Sequence, residues 1–97
     1  MKEKLLKIIN NYGVNHQLKH LYTEMYEFTE AVLDDVFDES GYGNKNHIQE
    51  EFADLMVMLE QFKAYYNLSN EDVLETMKYK IERQLKRIEE ENKRQTT

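Results

Sequence analysis

The stretch Glu50-Glu51-Phe52-Ala53-Asp54-Leu55-Met56-Val57-Met58-Leu59 decides how this chain folds. It contains no Pro or Gly, and Ile48, Phe52, Leu55, Leu59 and Phe62 recur at the three- and four-residue steps of a helix. Glu51 and Asp54 stand three apart on the edge of that apolar stripe, so both carboxylates lean the same way. A solvated acidic face would set its charges opposite the stripe, as Glu50 and Glu60 roughly do. Carboxylates at a core edge are partly desolvated, which is costly unless an Arg or Lys, a shared proton or a cation compensates.

Working outward, the same periodicity predicts an all-α chain, a four-helix-bundle-like single domain over residues 1–97. Zero Pro and only Gly13, Gly41 and Gly43 leave few breakers, too few for a β-rich chain. The helices are expected over about 2–12, 15–37, 46–66 and 70–92. Gly13 fits the stop of the first, and Ser69 with Asp72 resembles a capping box, with Asp in place of Glu, at the start of the fourth. The second should bury Leu18, Leu21, Met25, Phe28, Val32 and Val36, and the fourth Val73, Met77, Ile81, Leu85 and Ile88. The charged tail from Glu89 to Thr97 is expected to fray.

A net charge of −6 argues against a nucleic-acid polymer as partner, since polymer binding rewards clustered Lys and Arg. A small anion remains open if a metal supplies positive charge. With no Cys there is no thiolate ligand or nucleophile. The first residues are too charged for a signal segment and no run is long enough to span a membrane, so a cytoplasmic location is the default expectation.

The second helix carries its own acidic pair, Glu24 and Glu27, on the flank that also bears His20 and Ala31. A short connection favours antiparallel packing of the second and third helices, which lets this flank oppose Glu51 and Asp54. Four converging carboxylates repel one another and raise each other's pKa values. The arrangement calls for a divalent cation, and oxygen-only ligation points to Mg²⁺ or Mn²⁺ rather than Zn²⁺. Set against this, Glu-x-x-Glu alone recurs by chance in so acidic a chain. What strengthens the reading is two pairs on consecutive helices.

Other residues are open to two readings. Lys80, Arg83 and Arg87 either meet phosphates or form a solvated face with Glu82, Glu89, Glu90 and Glu91. His20 orients a carboxylate, touches substrate, or is an ordinary edge histidine. Tyr22, Tyr26, Tyr65 and Tyr66 at helical spacing are core or interface residues more readily than base-stacking ones. Asp34, Asp35, Asp38 and Glu39 read as a solvated helix end, and the loop from Ser40 to Lys45 could close over a ligand.

Taken together, Glu24-x-x-Glu27, 23 intervening residues and Glu51-x-x-Asp54 resemble the MazG-type all-α nucleoside triphosphate pyrophosphohydrolase superfamily. Gln17 stands where such proteins often carry Gln, and Glu50-Glu51-Phe52-Ala53-Asp54 is similar to the family's Glu-Glu-x-Ala-Asp run. Lys80-Ile81-Glu82-Arg83-Gln84 resembles its Lys-apolar-x-x-Asn segment, with Gln84 in place of Asn, and Thr23 replaces a frequent extra acid. The likeness covers about residues 15 to 90. It implies Mg²⁺-dependent cleavage of a ribo- or deoxyribonucleoside triphosphate to the monophosphate and pyrophosphate, by water attack at the α-phosphorus. Glu24, Glu27, Glu51 and Asp54 would hold metal, and one of them or Glu50 would orient the water. Gln17, His20, Lys80 and Arg87 are the candidate substrate contacts, and a homodimer or homotetramer is expected. Phosphoribosyl-ATP pyrophosphohydrolase is a weaker match, and dimeric dUTPase-like enzymes are usually longer. The alternative from another class is a non-catalytic helical dimer serving as a regulatory or interaction module.

Overall fold

A computed structural model describes residues 1–95. It contains four helices, α1 (Lys2–Tyr12), α2 (Val14–Val36), α3 (Lys45–Tyr65) and α4 (Asn70–Gln95). No strand occurs among the described residues. Residues Met1–Asn67 form one compact unit, and the residues from Leu68 onward form a second.

Within the first unit, Gly13 is the whole joint between α1 and α2. Its N–H donates to the Ile9 carbonyl at 2.8 Å and its own carbonyl accepts from the Gln17 N–H at 3.0 Å. At φ +91° it occupies backbone space that residues with a Cβ rarely enter. One glycine thus ends one helix and starts the next. α3 packs on both α2 and α1, and α1 also touches α2. Leu5 and Ile9 from α1, Ala31 from α2 and Met58 from α3 are the buried apolar residues. Phe28 and Phe52 meet edge to face at 5.8 Å, tying α2 to α3.

The α2–α3 loop is organised by Asp38. Its Oδ1 accepts from the Ser40 N–H and hydroxyl at 2.9 and 2.6 Å, and its Oδ2 from the Gly43 N–H at 3.1 Å. Asp35 Oδ1 accepts from the Asn44 N–H at 3.3 Å. These side-chain acceptors satisfy donors that no helix ladder serves.

The expected stripes need correction. Leu18, Met25 and Val36 on α2, and Phe52 and Leu59 on α3, are exposed rather than buried. The faces that meet in the α2–α3 seam carry Gln17, Leu21, Glu24, Phe28 and Ala31 opposite Glu51, Leu55, Met58 and Gln61. Both helices are apolar on two faces, and periodicity alone cannot say which one a neighbour covers. The carboxylate flank borders the core as expected, with Glu24 and Glu51 half-buried and Glu27 and Asp54 exposed.

In the second unit, α4 begins as expected, with the Asp72 N–H donating to Ser69 Oγ at 3.2 Å. The helix runs on to Gln95, beyond the expected end near 92, while Thr96 and Thr97 lie outside the described residues. α4 buries no residue, so Met77, Ile81, Leu85 and Ile88 are exposed instead of facing inward.

Candidate metal centre

Glu24 stands on α2 and Glu51 and Asp54 on α3, with one carboxylate oxygen of each lying within 4.8 Å of the others. The i,i+3 step puts Glu51 and Asp54 on one face, and packing of α2 on α3 brings Glu24 against them. The Glu24 side chain is only 12% exposed. Glu24 Oε2 and Glu51 Oε2 are buried and accept no hydrogen bond. Buried polar oxygens without donors are rare in folded proteins, because each one loses its water without replacement.

Electrostatics agree with the geometry. Burial, then the charge of Glu27, pushes the Glu24 carboxyl up, opposed in part by His20 and reinforced by Asp54. Burial followed by the charges of Glu27 and Asp54 raises Glu51, with His47 opposing and Glu24 adding to the rise. A divalent cation would relieve both the repulsion and the two unpartnered oxygens. The donor set fits one. Oxygens on opposite sides of a Mg²⁺ or Ca²⁺ ion stand roughly 4–5 Å apart, and both ions take carboxylate ligands.

Glu27 is exposed and lies outside the group of three, although its charge reaches Glu24 and Glu51. Glu50 is exposed beside the cluster and does not join it. His20 Nε2 stands 2.9 Å from Glu24 Oε1, close enough to fix that carboxylate's orientation. Lys80 and Arg87 are exposed on α4, in the other unit.

A cleft of about 380 Å³ adjoins the cluster. Glu24 and Asp54 line it together with Tyr12, His16, His20, Gln17 and Gln61. Tyr12 and His16 stack with ring centres 5.1 Å apart. Gln17 and Gln61 are each only 2% exposed, and Gln17 Nε2 donates to Gln61 Oε1 at 2.8 Å.

Sequence reasoning singled out Gln17 but missed Gln61, His16 and His47. Two signals were there to find. Gln61 is a polar residue one turn after Met58 and Val57, within an apolar run. His47 repeats on α3 the His-x-x-x-Glu spacing of His20 and Glu24 on α2.

A family model described as the MazG nucleotide pyrophosphohydrolase domain matches residues 13–88. Comparison with curated proteins and with solved structures gives no match. The chain belongs to the MazG nucleotide pyrophosphohydrolase family.

Proposed function

We propose that this MazG family member cleaves a nucleoside triphosphate to its monophosphate and pyrophosphate, using a divalent cation held by Glu24, Glu51 and Asp54. The observation that carries the reading is the pair of buried, unpartnered oxygens on Glu24 and Glu51 where α2 packs on α3. Mg²⁺ is the physiological choice, with Mn²⁺ as its substitute, because the donors are all oxygen. When bound, such an ion supplies charge to phosphate oxygens and acidity to a water.

The remaining work falls to the chain. Glu24 and Asp54 line the cleft as well as the cluster, so they set where the phosphates end and the nucleoside begins. His20 holds Glu24 in one orientation through the 2.9 Å contact. Glu27, exposed at the rim, completes the negative field as the fourth ligand or as the group that orients the attacking water; Glu50 stands near enough in sequence to share the second task. The assignment of Lys80 and Arg87 to the phosphates rests on the sequence. Residues 1–97 are read as one functional domain because the family match spans both sides of Asn67. Half-exposed Leu18, Met25 and Leu59 support association into a homodimer or homotetramer.

The test is a panel of ribo- and deoxyribonucleoside triphosphates in ¹⁸O-water, with Mg²⁺ or with EDTA. The expected result is metal-dependent release of pyrophosphate with the label in the monophosphate. Label in the pyrophosphate, or orthophosphate as first product, would rule out attack at the α-phosphorus.

A further inference from the structure

The family match begins at residue 13, yet the cleft beside the acidic cluster is also lined by α1, whose last residue is Tyr12. Tyr12, His16, His20 and Glu24 stand four residues apart in the chain, and all four line the cleft. The Tyr12 and His16 rings stack with centres 5.1 Å apart and planes 17° from parallel. His16 meets His20 edge to face at 6.5 Å, and His20 Nε2 stands 2.9 Å from Glu24 Oε1. A row of rings thus leads from the acidic cluster to the end of α1.

The far end of that row is open but anchored. Tyr12 is 57% exposed, and part of its surface belongs to the cleft. The next residue, Gly13, donates its N–H to the carbonyl of fully buried Ile9. His16, the stacking partner, holds Nδ1 at 2.7 Å from Oε1 of Gln17, which is itself buried. A ring supported in this way offers a flat apolar surface whose place is set before any ligand arrives. Tyr22, Tyr26, Tyr65 and Tyr66 lie outside this cleft.

Distance decides what meets the ring. Eight residues of α2 separate Glu24 from His16, a span of about 12 Å along the helix. In a nucleoside triphosphate, about six bonds join the α-phosphorus to the base nitrogen, an extended reach of about 7 Å. With the triphosphate at Glu24 and Asp54, the base therefore lies past His20, at the level of His16 and Tyr12. We propose that Tyr12 is the base-stacking residue of this chain, with His16 as the ring that positions it. This rests on the nucleotide reading of the site. Every base has a π-face, so a stack of this kind takes purine and pyrimidine nucleotides alike and reads no edge pattern.

The experiment measures binding of the non-cleavable α,β-methylene analogues of dATP and dCTP, with ribose 5-triphosphate as the baseless control. The parent is compared with Tyr12→Leu and Tyr12→Phe. Calorimetry gives the dissociation constants, and NMR of the bound nucleotide follows its base protons, which a stacked ring shifts upfield. The parent should bind both analogues at least about fivefold more tightly than ribose 5-triphosphate. Tyr12→Leu should erase that advantage and the upfield shift for both bases, while ribose 5-triphosphate binding stays within about twofold of the parent. Tyr12→Phe should keep the advantage and the shift. In turnover, Tyr12→Leu should raise KM with little change in kcat. Retention of affinity and upfield shift in Tyr12→Leu overturns the role of Tyr12. An equal loss for ribose 5-triphosphate also overturns it, because the effect would then lie in the fold or at the phosphates. A loss in Tyr12→Phe as large as in Tyr12→Leu would assign the contact to the hydroxyl, and a loss for one base alone would mean edge reading; either refutes stacking. If the parent neither binds nor turns over any nucleotide, the nucleotide reading itself falls, and this subsite with it.

Discussion

Two groups of carboxylates in this protein are opposite in physical state. Glu24, Glu51 and Asp54 meet in the α2–α3 seam, where two buried oxygens have no donor and burial drives two of the carboxyls up. Asp38, with Asp35 beside it at the end of α2, is occupied by the chain itself. Ser40 and Gly43 donate to Asp38 and hold its carboxyl below the ordinary value. The difference shows that acid density is a poor sign of a metal site. A better sign is carboxylate oxygen that the fold has desolvated and left without a partner, as at Glu24 and Glu51.

The sharpest way to break this comparison is by neutralising one residue at a time. Glu24→Gln, Glu51→Gln and Asp54→Asn should each lower pyrophosphate release by at least about 100-fold, since even residues that only support metal ligands are worth 10–100-fold. Asp35→Asn and Asp38→Asn should leave turnover unchanged under the same assay. Equal losses in both groups would mean that the carboxylates act through net charge alone.

Addition of cation comes next in size. Mg²⁺ or Mn²⁺ at a hundredfold excess over its dissociation constant should stabilise the fold by about 2.7 kcal/mol. The thermal shift should vanish in Glu51→Gln and persist in Asp38→Asn.

Protonation should move the two groups in opposite directions in metal-free protein. Glu24 and Glu51 have raised values, so the folded chain keeps protons that the unfolded chain releases, and stability grows as pH falls through the raised values towards the ordinary 4.5. Asp38 has a lowered value, so its contribution is present above the ordinary 3.8 and is lost as pH falls through the lowered value. Melting temperature in EDTA should therefore rise on mild acidification and then drop. Glu51→Gln should flatten the rise, and Asp38→Asn the drop. A melting temperature that only falls from neutral pH would contradict the seam's repulsion.

Glu27→Gln is expected to have the smallest effect on turnover among the four acids of the paired motifs. Its side chain is exposed and it reaches the cluster by charge rather than by contact. A loss as large as that of Asp54→Asn would make it a full ligand.

Much of this was legible in the sequence because helices announce themselves locally. The absence of Pro, the stop at Gly13 and the cap at Ser69 fix the helix ends to within a few residues. That Glu51 and Asp54 share a side was readable because a three-residue step fixes a common side of a helix in any packing, whereas Glu24 joins them only through the packing of α2 on α3. The choice of buried face was not readable. α2 offers both a Leu18–Met25 face and a Gln17–Glu24–Ala31 face, and only contact with α1 and α3 selects the second. Gln61 escaped for the same reason, since its meaning depends on a partner 44 residues away.

The most direct measurement is Mn²⁺ retained per chain at equilibrium dialysis, for the parent, Glu51→Gln and Asp38→Asn side by side. The expected result is retention by the parent and by Asp38→Asn, with loss in Glu51→Gln at the same free Mn²⁺. Retention by Glu51→Gln together with loss in Asp38→Asn would place the cation at the loop and contradict the account.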